Sequence, residues 1–236
     1  CTIAVERGEI AVIVGPNGAG KSTAMKAVFD MLNLREGSVR LDGEDITELS
    51  PQARVRKGMG FVPQTHNIFT SMTVEENLEM GAFIRTDDIS GTMKQVYTLF
   101  PILKDKRRQS AGELSGGQRQ RLAIARTLIM NPQILILDDS LSSVDTETEH
   151  LIQRALKGLM VGRTSFVIAQ RLAGLVDADQ IVVLNGGTIA ERGTHDSLLA
   201  AGGLYKDIYD LQALHDNDAI GGGEFTGSEG LLEEKR

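Results

Sequence analysis

Three clusters of residues in this chain have the types and the spacing that bind phosphate and a divalent cation. The first is a glycine-rich run at 15–23, Gly-Pro-Asn-Gly-Ala-Gly-Lys-Ser-Thr, which fits the pattern G-x-x-x-x-G-K-[ST]. The second is Leu-Ser-Gly-Gly-Gln at 114–118, and the third is the acidic pair Asp138 and Asp139 behind an apolar run. Loop N–H groups donate to anions and carboxylates bind hard cations, so the clusters indicate chemistry on a nucleotide.

The glycine-rich run has the setting that a phosphate-binding loop requires. A β-like segment at 10–14 precedes it and a helix-like segment at 22–30 follows it. A plain strand-to-helix turn would need glycine but not the Lys-Ser pair. We expect Lys21 to reach the β- and γ-phosphates and the Ser22 hydroxyl to ligate Mg²⁺. The predicted phosphate-binding residues are Gly15, Pro16, Asn17, Gly18, Ala19, Gly20, Lys21, Ser22 and Thr23.

A second anion site is expected at the run Ser115-Gly116-Gly117-Gln118. It stands at the start of a helical pattern that continues to Met130, so its N–H groups would face an anion at a helix N-terminus. The alternative is an ordinary serine N-cap followed by glycines.

Alternating strand-like and helix-like segments position these clusters. The apolar run at 134–137 predicts a fully buried parallel strand with Asp138 at its carboxyl end. The pattern is helical from about 65 to 130 and alternates again beyond it. The other predicted strands are 2–5, 165–169, 181–184 and 188–190, and the other predicted helices are 146–159 and 204–214.

Three features together resemble the corresponding parts of the ATPases of ATP-binding-cassette (ABC) transporters: the glycine-rich loop, the 114–118 run, and the strand ending in Asp138. In that family the 114–118 run is called the signature. The resemblance implies an α/β P-loop NTPase with a mainly parallel core sheet, an antiparallel β edge and a helical subdomain that carries the signature. The expected parts are a P-loop core part at 1–64, a helical subdomain at 65–130, a second core part at 131–214 and a disordered tail at 215–236.

The resemblance also implies a role for each remaining polar residue. Gln64, in Phe-Val-Pro-Gln at 61–64, would ligate Mg²⁺ or hold the attacking water, and Asp138 would hold Mg²⁺. The signature residues Ser115, Gly116, Gly117 and Gln118 would contact the γ-phosphate held by a partner. That partner would be a second ATP-binding domain, arranged head to tail with the first. Asp145, in Ser-Ser-Val-Asp at 142–145, would reach across the interface between the two domains.

Two positions depart from the family. Asp139 stands where family members usually carry the glutamate that acts as the catalytic base. Gln170 lies in residues 167–172, which resemble the family's switch segment, at the position where that segment usually carries histidine. Aspartate withdraws the carboxylate by about 1.5 Å, and a misplacement of about 1 Å can cost ~10²-fold in rate. Glutamine can donate to a phosphate but cannot become cationic. We expect phosphate binding to survive and turnover to be slow.

Two functions remain open on the sequence. In the first, the chain hydrolyses ATP with Mg²⁺ in a homo- or heterodimer and drives transport through membrane-domain partners. In the second, it is a degenerate module that binds ATP with little turnover, as in one half of heterodimeric exporters. The cargo and the direction of transport are not encoded in these motifs.

The resemblance differs along the chain. Residues 8–113 resemble ATPases of branched-chain amino-acid importers, whereas the sequence from 114 onward resembles exporter ATPases. This mosaic motivates the hypothesis of a chimaera. Family members usually have one or two strands upstream of residue 1, and we expect these to be missing here.

Composition fits a globular domain. The chain has 236 residues, 41% of them hydrophobic, and no apolar run of the roughly 20 residues that span a bilayer. A net charge of −7 argues against nonspecific nucleic-acid binding, and one cysteine excludes an internal disulfide. We expect a cytoplasmic protein that is peripheral to the membrane through its transporter partners and does not insert into the membrane itself.

Overall fold

A computed structural model describes residues 1–64, 68–138, 156–158, 160–169 and 176–221, with side chains as far as residue 213. Its main sheet contains, among these residues, six strands in the order β4-β5-β6-β1-β7-β8. The strands are β1 Ile10–Val14, β4 Met59–Val62, β5 Ile134–Asp138, β6 Thr164–Ile168, β7 Gln180–Asn185 and β8 Thr188–Gly193.

The sheet is parallel except at one edge. Strands β4, β5, β6, β1 and β7 run in the same direction, and β8 pairs antiparallel with β7 across the turn at Gly186 and Gly187. The predicted mainly parallel sheet with an antiparallel edge is thereby confirmed. A separate hairpin pairs β2 Arg40–Leu41 with β3 Glu44–Asp45.

Alternating side chains of the strands fill two apolar layers. On β5, Leu135 and Leu137 face one layer and Ile136 faces the other. The inner strands are therefore apolar on both faces, as expected of a parallel sheet covered by helices. The helices are α1 Lys21–Val28, α2 Pro51–Arg56, α3 Val74–Gly81, α4 Ser90–Leu99, α5 Pro101–Asp105, α6 Gly116–Ile129, α7 His195–Ala201 and α8 Leu204–Gly221.

The helical segment that follows β4 contains α3 to α6, which pack on one face of the sheet. Among them, α6 begins within the Leu-Ser-Gly-Gly-Gln run and α3 packs along it. The division of the chain at 64, 130 and 214 into core and subdomain stays a prediction.

Two predicted elements differ from the structure. Residues 2–5 do not form a strand, and the carbonyl of Thr2 accepts a hydrogen bond from the Arg192 guanidinium. Helix α8 runs to Gly221 rather than to Leu214, so residues 215–221 of the predicted disordered tail are helical. The helix predicted at 146–159 lies largely outside the described residues.

Candidate nucleotide-binding site

The carboxyl ends of two inner strands of the sheet bring the predicted metal ligands together. Strand β1 leads through the glycine-rich loop into α1, and β5 ends at Asp138, with only β6 between the two strands. The Ser22 hydroxyl donates to Oδ1 of Asp138 at 2.6 Å across 116 residues of sequence. Asp138 is 1% exposed. A hydroxyl and a carboxylate in direct contact are hard oxygen ligands of the kind that Mg²⁺ prefers.

The glycine-rich loop depends on glycine at two positions for different reasons. Gly15 has φ 144°, and a Cβ there would lie 2.1 Å from the carbonyl oxygen of Leu184 on β7. Gly20 has φ 92° in the left-handed region and precedes the first residue of α1. The Gly187 N–H also donates to the Ala19 carbonyl at 3.2 Å. The loop is therefore held against the β7–β8 turn.

Lys21 places its ammonium group inside this loop. Its Nζ donates to the carbonyl oxygens of Gly15 at 2.7 Å and Pro16 at 3.0 Å, and the residue is 8% exposed. The N-cap of α1 is Gly20, which has no side chain that could accept hydrogen bonds from the first N–H groups of the helix. A lysine charge and the positive end of a helix dipole therefore meet at one loop, which is the arrangement that attracts phosphate.

The opposite end of α1 is anchored by Arg54, a residue that sequence analysis did not select. Arg54 lies on α2 and is 1% exposed. Its guanidinium donates to the carbonyl oxygens of Ala27 and Val28 at the end of α1, at 3.3 and 2.5 Å. The other acceptors are the carbonyls of Ile46, Thr47 and Leu49, at 3.0, 2.6 and 2.9 Å. The helix that carries Lys21 and Ser22 is thus fixed at both ends.

The Leu-Ser-Gly-Gly-Gln run forms the N-terminus of α6. Ser115 and Gln118 make a capping box in which the Ser115 hydroxyl accepts from Gln118 N and Gln118 Oε1 accepts from Ser115 N. The serine N-cap that was the alternative is therefore present. Gly116 and Gly117 occupy the first two helical positions, whose N–H groups have no partner within a helix. Contact with a partner's phosphate stays a prediction.

The remaining predicted residues are only partly described. Gln64 is exposed two residues beyond the end of β4, the strand next to β5. Asp139, Asp145 and Gln170 lie outside the described residues.

A parallel sheet that places a glycine-rich loop, a lysine and a buried aspartate on one edge defines a P-loop nucleotide-binding protein. The profile of the ABC transporter family matches residues 1–142, and the chain belongs to that family. The predicted family and its P-loop α/β fold are confirmed.

The individual proteins that are similar to this chain are also ABC proteins. The chain is 38% identical over 212 residues to ATP-binding cassette sub-family B member 6 of Homo sapiens, covering 87% of the chain and 25% of that protein. It is 41% identical over 221 residues to the uncharacterized ABC transporter ATP-binding protein YknU of Bacillus subtilis (strain 168), covering 90% and 37%. A solved bacterial Atm1-family ABC exporter with ATP bound superimposes with a TM-score of 0.78 at 35% identity, over 87% of this chain and 37% of that one.

The chain is therefore an ABC ATP-binding domain homologous to the ATPase parts of exporter-type transporters, and it spans well under half the length of these relatives. Within the described residues, none of the helices is both long and apolar enough to cross a membrane.

Proposed function

We propose that this chain is the nucleotide-binding part of an exporter-type ABC transporter, where it binds Mg-ATP and hydrolyses it slowly. The observation that carries the proposal is the joint placement of Lys21 in the loop and of Ser22 against buried Asp138. These groups supply the positive charge and the oxygen ligands that a nucleotide triphosphate with its cation needs.

The residues present fit a magnesium ion. Ser22 and Asp138 already touch through oxygen. Gln64 follows the end of β4, the strand beside β5, by two residues, and its amide oxygen would be a further ligand of the same kind. Mg²⁺ supplies neutralisation of charge on the phosphate oxygens when bound. Lys21 would exchange its loop carbonyls for phosphate oxygens, and the loop N–H groups would hold the same phosphates.

Slow turnover is proposed from two residues of the sequence. Asp139 follows Asp138 directly and would orient or deprotonate the attacking water with a carboxylate that stands about 1.5 Å short of the usual glutamate. Gln170 would donate a hydrogen bond to the γ-phosphate without carrying a positive charge.

The proposed partners follow from the family. A second ATP-binding domain would pair head to tail, with Ser115, Gly116, Gly117, Gln118 and Asp145 at the seam. Membrane domains would hold the chain at the cytoplasmic face of the membrane, and neither nucleic acid nor the lipid interior would contact it.

Asp139 and Gln170 also support a second proposal, an ATP-binding module with little or no turnover. A chimaeric origin is a further proposal, supported by the importer-like resemblance of the first half. The similarity to the bacterial Atm1-family ABC exporter covers 87% of the chain and therefore includes both halves, which favours a continuous exporter-type sequence.

Steady-state Mg-ATP hydrolysis tests the choice, with Asp139→Glu plus Gln170→His beside the wild type. We expect a low wild-type rate that rises at least about tenfold in the double variant, because both changes restore the usual catalytic groups. If both proteins bind ATP but neither turns it over, the binding module becomes the better account.

A further inference from the structure

Asn77 is a buried amide on α3 whose oxygen and nitrogen both bond to the backbone of the preceding segment. It is 0% exposed. Its Oδ1 accepts from the N–H of Phe69 at 2.8 Å, and its Nδ2 donates to the carbonyls of Phe69 and Thr73, each at 2.9 Å. Accepting one hydrogen bond and donating two requires an amide, because a carboxyl carries at most one O–H and a leucine carries none.

The segment that Asn77 holds is itself bonded to a second segment. Residues 70–75 exchange backbone hydrogen bonds of 2.9–3.0 Å with residues 107–112, and the Ser110 hydroxyl also donates to the Thr70 carbonyl at 3.0 Å. The backbone bonds run from Val74 N to Gln109 O, from Glu75 N to Arg107 O, from Ala111 N to Met72 O and from Gly112 N to Thr70 O.

Helix α6 also contacts the segment held by Asn77, through the side chain of Arg126. The Arg126 guanidinium carbon lies 4.9 Å from the centre of the Phe69 ring, a cation–π distance. Burial lowers the pKa of Arg126, but an arginine remains charged. A Cβ on Gly81 of α3 would lie 2.3 Å from the Arg126 carbonyl oxygen, so α3 and α6 have their backbones in close approach.

These contacts connect two parts of the proposed catalytic machinery. Phe69 follows Gln64 by five residues, and Gly112 precedes Ser115 by three. We propose that Asn77 is a positioning residue that fixes the chain following Gln64 to the segment leading into the signature. The proposal rests on the proposed function, in which that signature closes on a partner's ATP. Asn77 then acts on closure of the dimer and not on the phosphate loop.

The test separates binding from closure. Asn77→Asp has the same size, yet at least one of the two carbonyls loses its donor inside the protein. ATP affinity of the monomer, from titration calorimetry, should stay within about twofold, since the P-loop is built on other elements. ATP-driven dimerisation of the 236-residue chain, from sedimentation, should weaken at least about tenfold. The control is Thr98→Ala, which removes an exposed hydroxyl of α4 bonded within its own helix and should change neither quantity.

Each outcome decides one claim. Wild-type closure with ATP together with unchanged closure of Asn77→Asp would overturn the role of Asn77 alone, whereas a wild type that binds ATP without closing would contradict a head-to-tail pair made of two copies of this chain. If Asn77→Asp does not fold, Asn77→Ser keeps one hydroxyl that can donate and accept but cannot make all three bonds of the amide. It should also weaken closure at constant ATP affinity, and unchanged closure would again overturn the proposal.

Discussion

At the scale of single residues, the contact between Ser22 and Asp138 is the feature with the most direct chemical meaning. Asp138 is buried, and a buried carboxylate is costly unless a partner or a cation compensates it. The Ser22 hydroxyl supplies one hydrogen bond. The pair is therefore suited to receive a cation, because the ion would compensate a charge that the fold has already removed from water.

Asp138→Asn tests this assignment. The amide keeps the size of the side chain and an oxygen that can accept from Ser22, but it loses the charge that would hold Mg²⁺. We expect hydrolysis to fall by at least about 10²-fold, as for other losses of charge stabilisation. Titration calorimetry should show that Mg²⁺ no longer strengthens ATP binding. A variant whose ATP affinity still responds to Mg²⁺ as the wild type does would contradict the role of Asp138.

The phosphate loop could be predicted because its signal is local. Its glycines, Lys21 and Ser22 stand within nine consecutive residues, and the structure shows the steric need for glycine at Gly15 against Leu184. Asn77 could not be predicted in the same way. Its acceptors, Phe69 and Thr73, precede it by eight and four residues. The sequence marks Thr73 only as the N-cap of a Thr-x-x-Glu capping box and says nothing of its bond to Asn77. A buried amide is visible only when the packing around it is known.

At the scale of elements, α1 is held by different forces at its two ends. The loop between β1 and α1 packs against the β7–β8 turn, and Arg54 of α2 binds the last carbonyls of the helix. A cation at a helix C-terminus is favoured by the helix dipole, and the carbonyl acceptors satisfy the buried guanidinium. The position of Lys21 and Ser22 therefore depends on a residue far from the phosphate site.

Arg54→Met should destabilise the protein. Methionine fills similar space but leaves five carbonyls without this donor, four of them partly buried and one fully buried, at a cost of about 3 kcal/mol or more. For a chain of this size that corresponds to a melting temperature lower by about 6–12 °C.

Calorimetric melting of Arg54→Met beside Arg56→Met measures the effect. Arg56 is exposed on the same helix, and its variant should melt within about 2 °C of the wild type. Equal melting of the Arg54 variant and the control would show that the carbonyl contacts do not stabilise α1.

Most strands of the main sheet are predicted by apolar runs and their flanking turns, but neither β4 nor the β2–β3 hairpin is among the predicted strands. The sequence signal for the hairpin is its turn. This turn, Asp42-Gly43, has φ of 50° and 81°, and Asp-Gly is a strong hairpin signal. The two-residue strands on either side carry no alternation, so the turn was the only available signal. Helix α8 was predicted too short because the residues after Leu214 are polar.

At the scale of the whole molecule, the fold places one complete phosphate loop and one exposed helix N-terminus at 115–118 on different elements. The proposed head-to-tail pair would use both, since each chain would supply its phosphate loop to one site and its signature to the other. The relatives are longer than this chain, which covers 25% of the length of one and 37% of the length of another.

The loop around Lys21 is the proposed ATP site of this chain. Equilibrium titration of Mg-ATP onto the wild type, Lys21→Ala and Lys26→Ala tests it most directly, because Lys26 lies on the same helix away from the loop. We expect the wild type and Lys26→Ala to bind alike and Lys21→Ala to lose measurable binding, a weakening of at least about 10²-fold for a charge-assisted phosphate contact. Wild-type affinity in Lys21→Ala would show that the nucleotide binds elsewhere.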